Sequence, residues 1–319
     1  MTVRVCTPWF HHAAPYLSEK EDARWGCRAG PLLALLLAVT GLQAGAAPAG
    51  VVSIADGPPF SIIRGDRLFE ATKGATLQAG DFVETQSGNF IVAELPGGTV
   101  VAFGPSSRLY LLERADVPTF VVLRGWLKLD AHATGEGGLH RAVGLQLGAA
   151  ARQGVFVVHA ADHRDEVFHE AGAMTLLLRD DGAVRSDRES KVNQFFAREN
   201  RTAVVTAPRP AAAFVAAMPV PFRDPLPDGL FKGLKAKVTE PKLIREVSYT
   251  DIADWLVIPR DWRVGFVRRF RGRLKEPAFF AAMDARLSLY PEWTPILHPP
   301  PPPEATDARR NRNSTSPNP

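Results

Sequence analysis

Apolar and polar residues alternate in short runs between residues 50 and 129, and glycine-centred turns separate the runs. The segments 51–54, 60–63, 68–71, 81–85, 90–94, 99–103, 108–111, 120–123 and 126–129 are expected as strands. Turn signals at Asp56-Gly57-Pro58-Pro59, Arg64-Gly65-Asp66, Gly88-Asn89, Pro96-Gly97-Gly98 and Gly104-Pro105 recur every ~8–12 residues. That spacing suits a barrel, roll or sandwich, not βαβ units. Arg124-Gly125 reads as a turn between two strands. The alternation at 90–94 and 126–131 implies one buried face and one face meeting water or a partner. Further runs at 142–147, 155–159, 167–169 and 174–178 extend the pattern past a loop at 133–138 to Arg179-Asp180-Asp181-Gly182. A β domain is therefore expected over 50–182.

The pattern then changes. Residues 191–197 suggest a short helix, and the Ala/Pro-rich stretch 203–230 suggests a linker or an extended strap, within a connecting region 183–246. A small α-helical C-terminal unit is expected over 247–298. Thr250 can cap a helix carrying Ile252, Trp255 and Leu256. A second helix over 261–275 places Trp262, Phe266, Phe270 and Leu274 on one apolar stripe, with Gly265 and Gly272 weakening it. Arg268, Arg271 and Lys275 fall on the opposite face, and Arg263, Arg269 and Arg273 at the edges of the stripe. Pro277 suits the first turn of a third helix with Phe279, Phe280, Met283 and Leu287 inward and Trp293 sealing its end. Residues 299–319, opening with five prolines, have the composition of a disordered tail.

Composition refines the picture. The apolar fraction of 45% is enough for a real core, and the net charge of +4 is too mild to call for nucleic acid. Residues 31–42 are apolar, follow Arg24 and Arg28, and lead into Ala44-x-Ala46. This is the pattern of a signal peptide over 1–46, with a start within 1–23 and export to the periplasm. An uncleaved N-terminal anchor is the alternative. Cys6 and Cys27 both precede the cleavage point, so the exported chain is expected to have neither a disulfide nor a cysteine metal site.

Several segments together resemble the FecR-like domain, a β-rich envelope domain. They are Gly50-Val51-Val52-Ser53-Ile54, Gly80-Asp81-x-Val83-x-Thr85, Leu95-x-Gly97-Gly98-Thr99-x-Val101, Pro105-x-Ser107-x-Leu109 and Leu123-x-Gly125-x-Leu127. The resemblance covers 50–178. It implies a periplasmic binding or signalling module without catalytic residues. Sigma-regulating members place a cytoplasmic helical domain before a membrane helix. The some 30 residues before the apolar run here leave no room for one, which argues against an anti-sigma role. Members also usually carry a Gly-Thr pair in a later strand, where this chain has Gly154-Val155.

Each candidate for chemistry also has a plainer role. His159, Asp162, His163, Asp165, Glu166, His169 and Glu170 form a group of metal-ligating types, but their neighbours suggest strand, polar turn and strand. Ser106 and Ser107 beside Pro105 lack a nucleophile elbow. Glu70, Asp81 and Glu84 could supply paired carboxylates for sugar cleavage, although Asp81 sits in a turn. No catalytic, cofactor or metal residue is assigned. The expected function is non-enzymatic binding or signalling in the envelope, toward a protein or a cell-wall glycan. Arg263, Arg268, Arg269, Arg271 and Arg273 are the candidate partner contacts, and the basic helix could also touch a membrane surface. The alternatives are an envelope enzyme acting on cell-wall glycan and a structural scaffold subunit.

Overall fold

The computed structural model describes residues 49–113, 115–131, 138–180, 183–227 and 238–300. The expected leader and the tail from 301 lie outside these residues, as does most of the loop 133–138. Among the described residues no helix is long and apolar enough to cross a membrane.

The protein is mainly β, and sixteen strands join in one hydrogen-bonded sheet. Its hub is β9 (Thr119–Asp130). The first half of β9 pairs with β8 (Arg108–Leu111). From there the sheet runs through β5 (Phe82–Glu84), β2 (Phe60–Arg64) and β3 (Arg67–Ala71) to the edge strand β16 (Lys242–Glu246). The second half pairs with β7 (Val100–Phe103), which leads through β6 (Phe90–Glu94) to β1 (Gly50–Asp56) and β4 (Thr76–Leu77). β10 (His140–Val143) runs parallel to the first half of β9. β11 (Leu147–Ala161) pairs with β10 near its start and with the second half of β9 near its end. β12 (Arg164–Asp180) lies beside β11. One half of it carries β14 (Phe195–Glu199) and β15 (Val205–Ala207), and the other half carries β13 (Ala183–Ser190).

Three local expectations are corrected. Arg124-Gly125 is not a turn, because β9 runs through it. Gly125, at φ 90°, is the corner where β9 passes from one wing to the other. A Cβ there would stand 2.3 Å from Ser107 Oγ, and that hydroxyl accepts the Trp126 N–H at 2.9 Å. The run 142–147 is broken by a tight turn in which Gly144 N–H donates to Leu147 O at 2.7 Å. Residues 191–197 are not helical. Phe195 and Phe196 point to opposite sides of β14 and bury in different clusters, which is strand periodicity.

The two wings enclose the central core. Phe60, Ile62, Val83 and Leu109 from one wing meet Val52, Ile91, Val101 and Phe103 from the other. The outward faces, expected to meet water or a partner, are apolar as well and are covered by segments of the same chain. On the first wing Ile63, Phe82, Tyr110 and Val121 are covered by the C-terminal helices. On the second, Val92, Val100, Ala102 and Trp126 are covered by Phe214, Met218, Phe222 and Leu226 of the Ala/Pro-rich stretch, which includes the helix α1 (Ala212–Ala217). Lys128, expected on a solvated face, is fully buried. Its ammonium donates to Glu170 and to the Phe222 and Asp224 carbonyls, each at 2.9 Å, and so ties this strap to β9.

The C-terminal unit begins with α2 (Tyr249–Leu256). Its cap is Ser248, not Thr250, because Asp251 closes a capping box by accepting the Ser248 N–H at 2.7 Å. The expected helix 261–275 is interrupted at Gly265 (φ 98°). It becomes α3 (Phe266–Phe270), followed by a 3-10 turn, Arg271–Lys275. α4 (Pro277–Asp284) buries Phe279 and Met283 and leaves Phe280 exposed, and α5 (Thr294–Leu297) follows the buried Trp293. The helices dock through Phe82, whose ring stacks on Trp255 (4.6 Å, 9°) and meets Phe266 edge-on (5.5 Å). Phe82→Ala is expected to cost about 3–5 kcal/mol of stability, measured by denaturant unfolding. The change should expose the 249–297 region to protease before the sheet.

Candidate functional site

Most side chains singled out for chemistry are bound into the fold, whereas Glu70, Asp162 and His163 are exposed. Asp81 is fully buried, takes two bonds from Arg64 (2.9 and 2.7 Å) and caps the Gln78 N–H at 2.8 Å. Glu84 pairs with Arg108 at 2.5 Å. Ser107 is buried against Trp126, and Ser106 is a turn residue at φ 51°. The metal-like group is dispersed. His159 stacks on Trp126 at 3.9 Å and bonds Glu166 at 2.9 Å. His169 bonds Ser190 at 3.0 Å, and Glu170 faces Lys128. Burial opposes the charge on Glu166, but bonds from His159 and Arg164 outweigh it and hold the carboxyl below its usual range.

The five arginines divide. Arg269 donates to three backbone carbonyls, Gly65 (2.6 Å), Gly80 (2.5 Å) and Ile63 (2.8 Å), and its guanidinium lies 4.3 Å from the Phe82 ring centre. Burial pushes it down to about 10, so it remains charged at neutral pH. Arg263 turns inward to the Leu256 carbonyl and Glu292. Arg273 takes Glu246, Glu276 and the Val247 carbonyl. Arg268 is exposed and pairs with Glu113 at 3.3 Å, and Arg271 is exposed. Arg269 and Arg273 therefore fasten the helices to the sheet, and Arg263 joins segments of the helical unit to one another.

A different surface gathers exposed polar groups. Two adjoining depressions, of about 430 and 280 Å³, share Leu145, His163 and Val257. Their walls are the turns 144–146, 161–163 and 200–201, with Arg124 of β9 and the end of α2. Gln146 ties the three turns together. Its Nε2 donates to the His163 carbonyl at 2.7 Å, and its Oε1 accepts the Arg201 N–H at 2.5 Å. The same His163 carbonyl accepts the Asn200 N–H at 2.8 Å. Five non-glycine residues among those described have positive φ, and three of them, His163 (60°), Asn200 (48°) and Arg201 (59°), stand on this rim. Leu145 and Val257 are exposed apolar residues at its centre.

Asp165 supports the groove from beneath. Its carboxylate is buried and accepts the Gln146 and Leu147 N–H groups at 2.5 and 3.0 Å. Gly144 is needed beside it, because a Cβ there would lie 2.4 Å from Asp165 Oδ2. Burial raises the Asp165 carboxyl to about 6, offset in part by the two N–H bonds, His159 and Arg179. Of this arrangement the sequence drew attention to Asp162, His163 and Asp165, but for metal chemistry. Leu145, Gln146, Asn200, Arg201 and Val257 had no functional signal, because the fold alone brings their turns together.

No protein-family model and no curated protein matches the chain. Two crystal structures of a "putative anti-sigma factor" from Parabacteroides distasonis ATCC 8503 are similar, at 16% and 17% identity and a TM-score of 0.35 each. They cover 42% and 43% of this chain and 63% and 64% of theirs, so the match spans less than two thirds of those proteins. What the fold defines is a mainly β protein built on one folded sheet with its outer faces covered by its own C-terminal third.

The folded protein holds the Asp165 proton more tightly than the unfolded chain, whose carboxyl titrates near 3.8. The associated stability is complete below that pH and is lost as pH rises through about 6. Denaturant unfolding from pH 4 to 7 should show wild type losing about 1–3 kcal/mol relative to Asp165→Asn, whose amide oxygen can still accept both N–H groups. Gly144→Ala should destabilise by about 1–3 kcal/mol at pH 7, measured the same way, by displacing the carboxylate.

Proposed function

We propose that the chain is a non-enzymatic, exported binding or signalling module of the bacterial envelope, FecR-like in its β region, and that the groove recognises its partner. The observation that carries this is the groove rim. Three left-handed non-glycine residues are held there by one glutamine, around exposed Leu145 and Val257. Strained backbone kept rigid at an exposed surface is characteristic of sites that contact other molecules. An apolar centre inside a polar rim suits a protein side chain. Among the described residues the groove lining has no Trp, Tyr or Phe ring on which a sugar could stack, which favours a protein partner over a glycan.

Of the three carboxylates considered for an envelope glycan hydrolase, Asp81 and Glu84 pair with Arg64 and Arg108, which leaves Glu70, exposed on β3, without either as a free acid-base partner. The apolar stripes of the C-terminal helices pack on the sheet, which weighs against a scaffold role that uses them. The signal-peptide pattern supports export.

A photo-crosslinking residue at Val257 of the full chain, exposed to envelope protein, is expected to trap a discrete species. The same residue at Ile296 should not. Leu145→Asp should reduce the trapped species at least tenfold. If Leu145→Asp leaves it unchanged, or if the chain cleaves purified peptidoglycan and Asp81→Asn abolishes this, the proposal fails.

A further inference from the structure

A second cavity, of about 260 Å³, lies at one end of the central core, away from the groove. Its wall is mostly apolar, with Leu95, Leu111, Leu112, Val117, Pro118 and Phe120. One buried imidazole joins them. His140, at the start of β10, is 4% exposed and lines the cavity. Its Nδ1 sits 2.9 Å from the Gly138 carbonyl and 3.3 Å from Thr99 Oγ1. A carbonyl oxygen only accepts, so Nδ1 carries the hydrogen and Nε2 carries the lone pair. Burial lowers the His140 pKa, which keeps the ring neutral near pH 7. Nε2 has no hydrogen-bond partner among the described residues, and the ring edge turned away from Gly138 and Thr99 is the one left for the cavity. The charged residue on the lining is Glu113, which already pairs with Arg268.

We propose that this cavity binds a small, largely apolar molecule carrying one hydrogen-bond donor, a hydroxyl or an N–H, which donates to His140 Nε2. A cavity of about 150 Å³ lined by aliphatic side chains is enough for benzene. By that scale about 260 Å³ takes roughly ten non-hydrogen atoms. A lone acceptor in an apolar wall selects among ligands of one size, because a ligand without a donor leaves Nε2 unsatisfied. The proposal is independent of the groove and of any envelope partner.

The test uses the full chain and three probes of similar size: p-cresol, with a hydroxyl donor; toluene, with none; and 4-methylanisole, with an acceptor only. Calorimetry should show p-cresol binding about tenfold more tightly than toluene, and 4-methylanisole no better than toluene. The ¹⁵N resonance of His140 Nε2 should move with p-cresol alone. His140→Phe should abolish the preference while retaining apolar binding. Val117→Trp, which fills the cavity from its rim, should abolish binding of p-cresol and toluene. Equal affinities for the three probes, no binding of p-cresol, or a preference that survives His140→Phe would overturn the proposal. If His140→Phe does not fold, the Nε2 resonance and Val117→Trp still decide it.

Discussion

The stacking of Phe82 on Trp255, with Arg269 beside the Phe82 ring and bonded to three carbonyls of the same wing, is the contact on which the arrangement of this protein depends. An open sheet with apolar residues on both faces cannot stand in water by itself. Here the inner faces of the two wings bury each other, and both outer faces remain to be covered. The C-terminal third does this twice, with the strap over one wing and the helical unit over the other. The helices are too short to be stable alone. Sheet and helices therefore stabilise each other, and neither is a free module.

This docking also decides what the arginines do. A guanidinium at the edge of a helix that packs on a sheet meets backbone carbonyls of the strand ends and turns beneath it. Arg269 satisfies three of these at once and stays charged although burial lowers its affinity for the proton. Lys128 does the equivalent for the strap from the opposite side, reaching out of the sheet to carbonyls of the covering segment. In both cases a cation that looks solvated in the sequence is a fastener, because the covering segments lack regular partners for their own backbone groups.

The strands were legible because their period-two pattern is local. The corners were not. Gly125 gives the same signal whether it ends a strand or bends one, and only the approach of Ser107 makes it a bend. Gly144, by contrast, turns the chain inside what reads as one apolar run. Phe195-Phe196, inside the stretch 191–197 expected as helix, is strand because each ring has a separate cluster to enter. The apolar outward positions, such as Tyr110 and Val92, contradict one-sided burial until their covers are known. The groove was the least legible feature. Its walls come from turns near 145, 162 and 200 and from the end of α2 near 257, and nothing local marks them as neighbours.

The groove is also where the fold departs most from what stability alone would select. Left-handed backbone at non-glycine residues such as His163 and Arg201 costs about 1–2 kcal/mol each, and Asn200 somewhat less. A buried carboxylate whose proton affinity is raised adds a further cost at neutral pH. Replacing His163 or Arg201 with glycine, or Asp165 with asparagine, would relieve these costs without obvious loss of packing. Their concentration around one exposed surface, stitched by a single glutamine, fixes the relative positions of three turns that would otherwise move independently. Turns held in one arrangement lose less entropy when a partner docks on them, so local instability of this kind lowers the cost of recognition.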